Sequence, residues 1–216
     1  LQGGIGTGKT SFVKNAAVRL EQEGIETMLL MLNENTRSNF GVITYILKEA
    51  MKYADKDTID KYASDIYYIM PEIAEKSSVT VLQGELNKEN IMRLIYRLGN
   101  FLLEIVSKYP FAVAIVGAEW IDENSYEILS YIINNSDKGK MYIIISTSFE
   151  SKSNLDFFNK INGSIKDCVN VDVIQIGNYN INETAEYIKL ILGTDKAPLD
   201  FVANIYKETE GNPSYV

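Results

Sequence analysis

Residues 3–10 read Gly3-Gly4-Ile5-Gly6-Thr7-Gly8-Lys9-Thr10, and this stretch decides the fold. It fits the pattern G-x-x-x-x-G-K-[ST], in which glycines let the backbone curl until successive N–H groups converge on an anion. Lys9 supplies a cation for the outer phosphates of a nucleotide, and the hydroxyl of Thr10 suits Mg²⁺. The stretch therefore predicts a nucleotide-binding loop that includes the next residue, Ser11.

The sequence after this loop predicts an α/β domain. A helix is expected over residues 9–23, because apolar residues recur there at helical spacing and Gly24 follows as a cap. Unbroken apolar runs occur at residues 26–32, 111–116, 141–145 and 171–176. Such runs are typical of parallel strands that are covered on both faces. Their alternation with amphipathic helices predicts a layered domain with a parallel sheet.

The spacing of these runs predicts the organisation of the chain. Residues 1–177 form a core domain, and residues from about 38 to 109 form a helical insertion between the second and third strands. Residues 178–216 are the start of a small helical lid, whose first helix has a capping-box sequence at Asn180. Because the chain begins at Leu1 rather than a methionine, we expect it to be part of a longer multidomain protein.

Composition excludes several classes of function. The chain has 216 residues and a net charge of −8, which argues against direct nucleic-acid binding by a basic face. It contains no histidine and a single cysteine, Cys168, so histidine-dependent catalysis and structural zinc are not expected. A reducing, cytoplasmic setting fits the single cysteine. No apolar run reaches the roughly 18 residues that a membrane span needs.

A P-loop enzyme also needs an acid beyond a neighbouring strand, to organise magnesium or attacking water. The strand predicted at 111–116 is followed by Gly117 and Ala118, and Glu119 comes two places late. Glu119 is the candidate catalytic residue, on the condition that its loop curls back towards the site. Asp122 is interpreted instead as the N-cap of a helix over residues 123–134.

Four motifs occur in order along the chain. The first is the glycine-rich loop through Ser11. The second is Tyr109-Pro110, followed by an apolar strand and then by Glu119-Trp120-Ile121-Asp122, and the third is an apolar strand followed by Ser146-Thr147-Ser148. The fourth is Glu208-Thr209-Glu210-Gly211-Asn212-Pro213-Ser214-Tyr215-Val216. Together they resemble the STAND class of P-loop NTPases, which are AAA-like ATPase modules of large bacterial regulatory proteins. The first and last motifs are specific, whereas each middle motif is weak by itself.

The resemblance implies a three-layer α/β/α P-loop fold, with a parallel sheet in the order 5-1-4-3-2 and a helical lid after it. It implies ATP or ADP with Mg²⁺ as ligands, with Pro213 near the adenine. Ser146 and Thr147 would then be polar sensor residues. By the same analogy the lid moves with the nucleotide state and couples the site to flanking domains, protein partners or further copies of the chain.

One motif departs from the family. The acids of its Walker B motif fall here on Val116 and Gly117, and an arginine often found after the sensor stretch falls near Phe149. The sequence therefore predicts a nucleotide-binding regulatory module, acting as a conformational switch with weak or absent hydrolysis. One alternative is a working ATPase that uses Glu119 or a partner's acid. Another is a protein-interaction module with a relic loop, suggested by tyrosines at 45, 53, 62, 67, 68 and 96.

Overall fold

The computed structural model describes residues 1–74, 87–136, 141–148 and 171–216, together with 159 and 163. In these ranges the strands are β1 (Gln2–Gly3), β2 (Glu26–Met31), β3 (Phe111–Val116) and β4 (Met141–Ser148). The helices are α1 (Lys9–Gln22), α2 (Gly41–Ala50), α3 (Lys56–Ile69), α4 (Pro71–Ala74), α5 (Lys88–Lys108), α6 (Glu123–Asn135), α7 (Ile181–Leu192) and α8 (Leu199–Thr209). Phe149 and Cys168 lie outside the described residues.

The four strands form one parallel sheet in the order β1-β4-β3-β2. The predicted five-stranded order is wrong in one respect, because residues 171–176 do not form a full fifth strand. A single parallel bridge joins Gln2 to Gln175, and the Gln2 N–H and C=O bond to Ile174 (2.9 Å) and Ile176 (2.7 Å). Since β1 is two residues long, it has peptide groups for only this one bridge on its outer side.

The two faces of β3 carry side chains of different size. Phe111, Val113 and Ile115 alternate on the face that joins the main hydrophobic core. Ala112 and Ala114 point the other way and are also fully buried. The amphipathic helix α1 packs against β2, β3 and β4, and the small alanines allow a close approach there. Both faces of the sheet are therefore covered, which explains why the strand sequence is an unbroken apolar run.

The main core lies between the sheet and the helices that follow β2. Fully buried residues of this core come from α2, α3, α5 and α6 as well as from the strands: Ile43, Ile46, Leu47, Ile66, Leu94, Leu98, Phe101, Leu102, Ile105, Ile128 and Ile132. The helices α2–α5 thus share one apolar interior with the sheet. Among the described residues, no helix is both long and apolar enough to cross a membrane.

Caps at the helix ends agree with the sequence signals. Asn180 accepts hydrogen bonds from the Asn182 and Glu183 N–H groups (2.9 and 3.0 Å), and Glu183 accepts from the Asn180 N–H in return (2.8 Å). This capping box confirms the predicted helix start at Asn180, where α7 begins. The helix ends at Gly193, which has a φ of 60° and so occupies the left-handed region that glycine tolerates.

Asp122 accepts hydrogen bonds at the starts of two helices, whereas the sequence predicted that it caps only one. Its Oδ1 accepts from the Ser125 N–H at 3.0 Å, which confirms that it caps α6. The same oxygen accepts from the Phe40 N–H at 2.9 Å, at the start of α2. Phe40 is buried and has a φ of 56°, a strained value for a residue with a side chain. Asp122 therefore holds a strained turn against α6.

We expect Asp122→Ala to lower the free energy of unfolding by about 2–4 kcal/mol, because a cap is lost and the buried Phe40 N–H loses its acceptor. Asp122→Asn retains the accepting oxygen and should lose less than about 1 kcal/mol. Urea denaturation of both variants measures the difference. Equal losses in the two variants would contradict the shared-acceptor role.

Asp55 is an exposed cap whose charge contributes to stability. Its Oδ1 accepts from the Thr58 N–H at 2.8 Å, and Lys108 donates to its Oδ2 at 3.0 Å, joining α3 to the end of α5. Hydrogen bonds from the Thr58 side chain and backbone, and then from Lys108, lower the pKa of Asp55 from 3.8 to about 2. A lowered pKa means that this stabilisation is complete above the ordinary value and is lost as pH falls through the folded value.

Asp55→Asn should therefore flatten the loss of stability between about pH 4 and pH 2, since the variant keeps a capping oxygen but no longer titrates. Urea denaturation at a series of pH values measures the slope. Asp60→Asn, at an exposed position on the same helix, is the matched control and should keep the wild-type slope. The prediction fails if Asp55→Asn and wild type lose stability in parallel.

Candidate nucleotide-binding site

The glycine-rich loop connects β1 to α1 and has the curled backbone that the sequence predicts. Gly6 and Gly8 have φ values of 79° and 95°, which are left-handed torsions that glycine adopts without cost. Helical hydrogen bonding starts with the Phe12 N–H donating to the Gly8 carbonyl at 3.0 Å. The N–H groups before it point outward along the helix axis, where the helix dipole favours an anion.

Gly3 is needed for a different reason, which is the close approach of another backbone segment. A Cβ on Gly3 would lie 2.2 Å from the Ile176 carbonyl oxygen and 2.8 Å from Thr7 Oγ1. A side chain at position 3 would therefore require the Ile176 backbone and the Thr7 side chain to move. The start of the loop is therefore enclosed by residues 174–176 on one side and by Thr7 on the other.

Lys9 and Thr7 hold the loop through its own carbonyl groups. The Lys9 ammonium donates to the Gly3 and Gly4 carbonyls at 2.9 and 2.5 Å, and the Thr7 hydroxyl donates to the Gly4 carbonyl at 2.9 Å. These contacts keep a positive charge at the loop. Thr10 is partly buried and Ser11 is exposed, so the Thr10 hydroxyl is the better sheltered of the two. Ile5 is exposed at the turn of the loop.

Glu119 lies in a short turn directly after β3. Gly117 has a φ of 74°, and the 3-10 turn Ala118–Trp120 follows directly. Oε1 of Glu119 accepts from the Ser148 hydroxyl at 3.2 Å. Oε2 is buried, with no hydrogen-bond partner among the described residues. Because Ser148 is in register with Gly3, the carboxylate is tied to the strand that pairs with the start of the loop.

The backbone around Gly117 leaves no room for a side chain. A Cβ on Gly117 would lie 2.4 Å from the Leu32 carbonyl oxygen, and φ is in the left-handed region. The Leu32 N–H also donates to the Val116 carbonyl at 2.8 Å, which fixes the two segments together. An aspartate at 117 therefore does not fit this backbone, since the chain is folded around a glycine there.

The predicted sensor residues lie inside a strand rather than after one. β4 continues to Ser148, beyond the predicted end at 145, and both Ser146 and Thr147 are buried. Ser146 contacts the segment after β3 through its backbone, because its carbonyl accepts from the Gly117 N–H at 3.1 Å. The Thr147 hydroxyl is buried without a partner among the described residues. Ser148 is the member of this stretch that reaches Glu119.

The end of the chain contacts the loop on both sides of Pro213. Asn212 Nδ2 donates to the Ile5 carbonyl at 2.9 Å, and the Ser214 hydroxyl donates to the Gly6 carbonyl at 3.1 Å. Pro213 itself is partly buried between these two residues. The first and last motifs of the sequence are thus brought together. Sequence reasoning selected Pro213 and missed its neighbours, although Asn and Ser beside a rigid proline turn are suitable donors.

The donor set around the loop fits a metal held mainly by nucleotide and water. No group of three or more histidine, cysteine, aspartate or glutamate side chains is arranged to hold a metal in the part of the chain that the structure describes. Mg²⁺ commonly takes only one or two protein oxygens and keeps several waters. The Thr10 hydroxyl and the unpartnered Oε2 of Glu119 are oxygens of this kind.

Comparison with known proteins identifies a fold and no family. No protein-family model matches the chain. No curated protein sequence matches it. Among solved structures, the chain is similar to the ORC2 protein of Aeropyrum pernix in its ADP form, with a TM-score of 0.51 and 11% identity. The match covers 99% of this chain and 53% of that one, so this chain spans about half its length. At this identity the likeness concerns the fold alone, which is P-loop ATPase-like.

Proposed function

We propose that the chain is a nucleotide-binding regulatory module of the STAND class, within a bacterial signalling or transcription-regulatory protein. In this proposal residues 3–11 bind the phosphates of ATP or ADP, and hydrolysis is weak or absent. Residues 1–177 act as the core and residues 178–216 as the start of a lid that responds to the bound nucleotide. Flanking domains, protein partners or further copies of the chain receive the signal.

The geometry of the glycine-rich loop carries this proposal. Gly6 and Gly8 have the left-handed torsions that turn peptide N–H groups towards one point, and Lys9 adds a positive charge. The loop opens directly into α1, whose dipole favours an anion at the same place. These features recognise phosphate groups and do not select a base. Adenine is proposed from the resemblance and from the ADP form of the structurally similar ORC2 protein.

Mg²⁺ is proposed to accompany the nucleotide. When bound, it would neutralise phosphate charge and stabilise the negative charge that develops during transfer. The Thr10 hydroxyl is the proposed protein ligand, and Glu119 is proposed to order the surrounding water. Weak hydrolysis follows from the glycine at 117, because removal of an acid that orders the metal shell costs several kcal/mol of barrier, or about two or more orders of magnitude in rate.

A working ATPase is the second candidate, and one observation favours it. Glu119 has one oxygen held by Ser148 and a second, buried oxygen without a partner among the described residues. A carboxylate held in this way is suited to accept a proton from water. In this second candidate Glu119 is the catalytic base, and the rate of turnover tests that role.

The interaction-module alternative depended on six tyrosines. Tyr62 and Tyr67 are buried, and Tyr53 and Tyr68 pack against the same core. Their main role is helix packing, as in the edge-to-face contact of Tyr62 with Phe101 at 5.6 Å. Only two of the six, at positions 45 and 96, are exposed. Most of the tyrosines that suggested this alternative therefore pack within the protein and do not form a surface for a partner.

Lys9→Ala tests nucleotide binding. We expect wild-type protein to release heat on titration with ADP or ATP in Mg²⁺, and to melt at a higher temperature when saturated. Loss of a charged hydrogen-bond donor should weaken binding by about tenfold to a hundredfold. Lys14→Ala, at an exposed position on the same helix, should bind as wild type does. Absence of both heat and thermal shift in wild-type protein would refute the proposal and support a relic loop.

Glu119→Gln tests turnover. For the wild type we expect release of phosphate from ATP to be at least about a hundredfold slower than the roughly 10 s⁻¹ typical of enzymes. Glu119→Gln should remove most of this residual activity and leave the affinity for ADP unchanged. Glu123→Gln, exposed at the start of α6, is the control. Wild-type turnover at the usual enzymatic rate, lost in Glu119→Gln, would favour the working ATPase instead.

A further inference from the structure

Two side chains of the lid hold the outside of the loop. Asn212 donates to the Ile5 carbonyl at 2.9 Å and Ser214 donates to the Gly6 carbonyl at 3.1 Å. A Cβ on Gly6 would lie 2.4 Å from Asn212 Oδ1 and 3.0 Å from the Ser214 Cβ. The bare Cα of Gly6 is therefore what allows the lid segment to approach so closely. We call Asn212 and Ser214, with these two bonds, the lid latch.

The segment that carries the latch is fixed at its own base. Gly211 has a φ of 72°, and a Cβ there would lie 2.0 Å from the Tyr179 carbonyl oxygen. The Tyr179 N–H donates to the Gly211 carbonyl at 2.8 Å, and Asn178 Nδ2 donates to the Glu210 carbonyl at 3.1 Å. The segment that carries the latch is thus fixed to the connection between the sheet and α7.

The asparagine is held in the orientation that its role requires. Its Oδ1 accepts from the Ser214 N–H at 3.0 Å, which leaves Nδ2 to face the Ile5 carbonyl. The Asn212 carbonyl accepts from the Tyr215 N–H at 3.0 Å, so the turn is closed by backbone as well. Because the side chain is already bonded within the turn, little freedom is lost when it donates to the loop.

Because a peptide group is planar, holding the carbonyls of Ile5 and Gly6 also fixes the direction of the N–H groups that follow them. In a trans peptide, the carbonyl of one residue and the N–H of the next point to opposite sides. The described peptide bonds are all trans. Holding the Ile5 carbonyl therefore directs the Gly6 N–H away from the lid latch, and holding the Gly6 carbonyl does the same for the Thr7 N–H. Both N–H groups belong to the curl that is proposed to bind phosphate.

We propose that Asn212 and Ser214 are positioning residues, which orient the Gly6 and Thr7 N–H groups for the anion and couple the loop to the lid. This inference rests on the proposed function, since it presumes that the loop binds nucleotide. The coupling is reciprocal: a lid that is latched raises nucleotide affinity, and a bound nucleotide strengthens the latch by the same factor.

The test compares Asn212→Ala/Ser214→Ala with wild type in two measurements. Calorimetry should show ADP affinity reduced by about tenfold or more, since each lost bond accounts for about threefold to tenfold. Order parameters from ¹⁵N relaxation of the nucleotide-free protein should be lower for the Gly6 and Thr7 N–H groups. Ser214→Ala alone should show an intermediate loss that Ser214→Thr restores, because threonine keeps the hydroxyl. Asn204→Ala, at an exposed position of α8, is the matched control.

The outcomes separate this inference from the proposed function. Wild-type protein that binds neither ADP nor ATP overturns the proposed function, and the role of the latch in binding falls with it. Wild-type binding that is equalled by the double variant overturns the latch alone. Lower order parameters at Gly6 and Thr7 with unchanged affinity also overturn it, because the orientation would then contribute nothing to anion binding.

Discussion

Backbone hydrogen bonds on both sides of β1 hold the first residues of the loop in place. On the outer side Gln2 bonds to residues 174 and 176, and on the inner side the Thr147 N–H donates to the Leu1 carbonyl at 3.1 Å. A strand of two residues has no length to give it stability, so its position depends on these neighbours. Without them the curl at residues 3–8 would start from a mobile point, and N–H groups that are not fixed bind an anion poorly.

Glycine is required at several positions around the loop, and the physical reason differs from one to the next. Gly8 is open on all sides, so only its torsion requires glycine. At Gly3 the reason is the Ile176 carbonyl, and at Gly6 it is the Asn212 side chain together with a positive φ. Gly117 combines a positive φ with contact to the Leu32 carbonyl. An acidic side chain at position 117 would therefore require the segment after β2 to move.

Local signals in the sequence predicted most of the fold. The strand over 111–116 and the start of α1 at Lys9 were predicted as the structure has them, because burial on both faces and a glycine-rich start leave clear patterns. The segment at 171–176 was predicted as a strand from its apolar run. Whether this segment pairs as a strand depends on the length of β1, and the apolar run at 171–176 carries no information about that length. A similar limit applies to Ser148, since strand register, and not residue type, brings it to Glu119.

The contact of Asn212 and Ser214 with the loop was the part of the site that sequence reasoning could not supply. Asn212 and Ile5 are separated by 207 positions, and a single polar side chain has no periodicity to reveal its partner. The glycine at position 6 belongs to a known loop pattern, so its second role in admitting Asn212 is hidden by the first. Motif reading assigned the last segment to the nucleotide through Pro213, and the structure adds a contact that is made by protein alone.

The strength of the latch limits what it can do as a switch. Two neutral hydrogen bonds contribute about 1–3 kcal/mol together, which corresponds to a coupling of about 5- to 150-fold. Moving a lid from one part in a hundred to ninety-nine parts in a hundred requires a difference of about 5.5 kcal/mol. The latch therefore biases the lid, and at least about 2.5 kcal/mol must come from other contacts. In the proposed module a bound nucleotide supplies the difference if it binds the latched arrangement more tightly than the unlatched one.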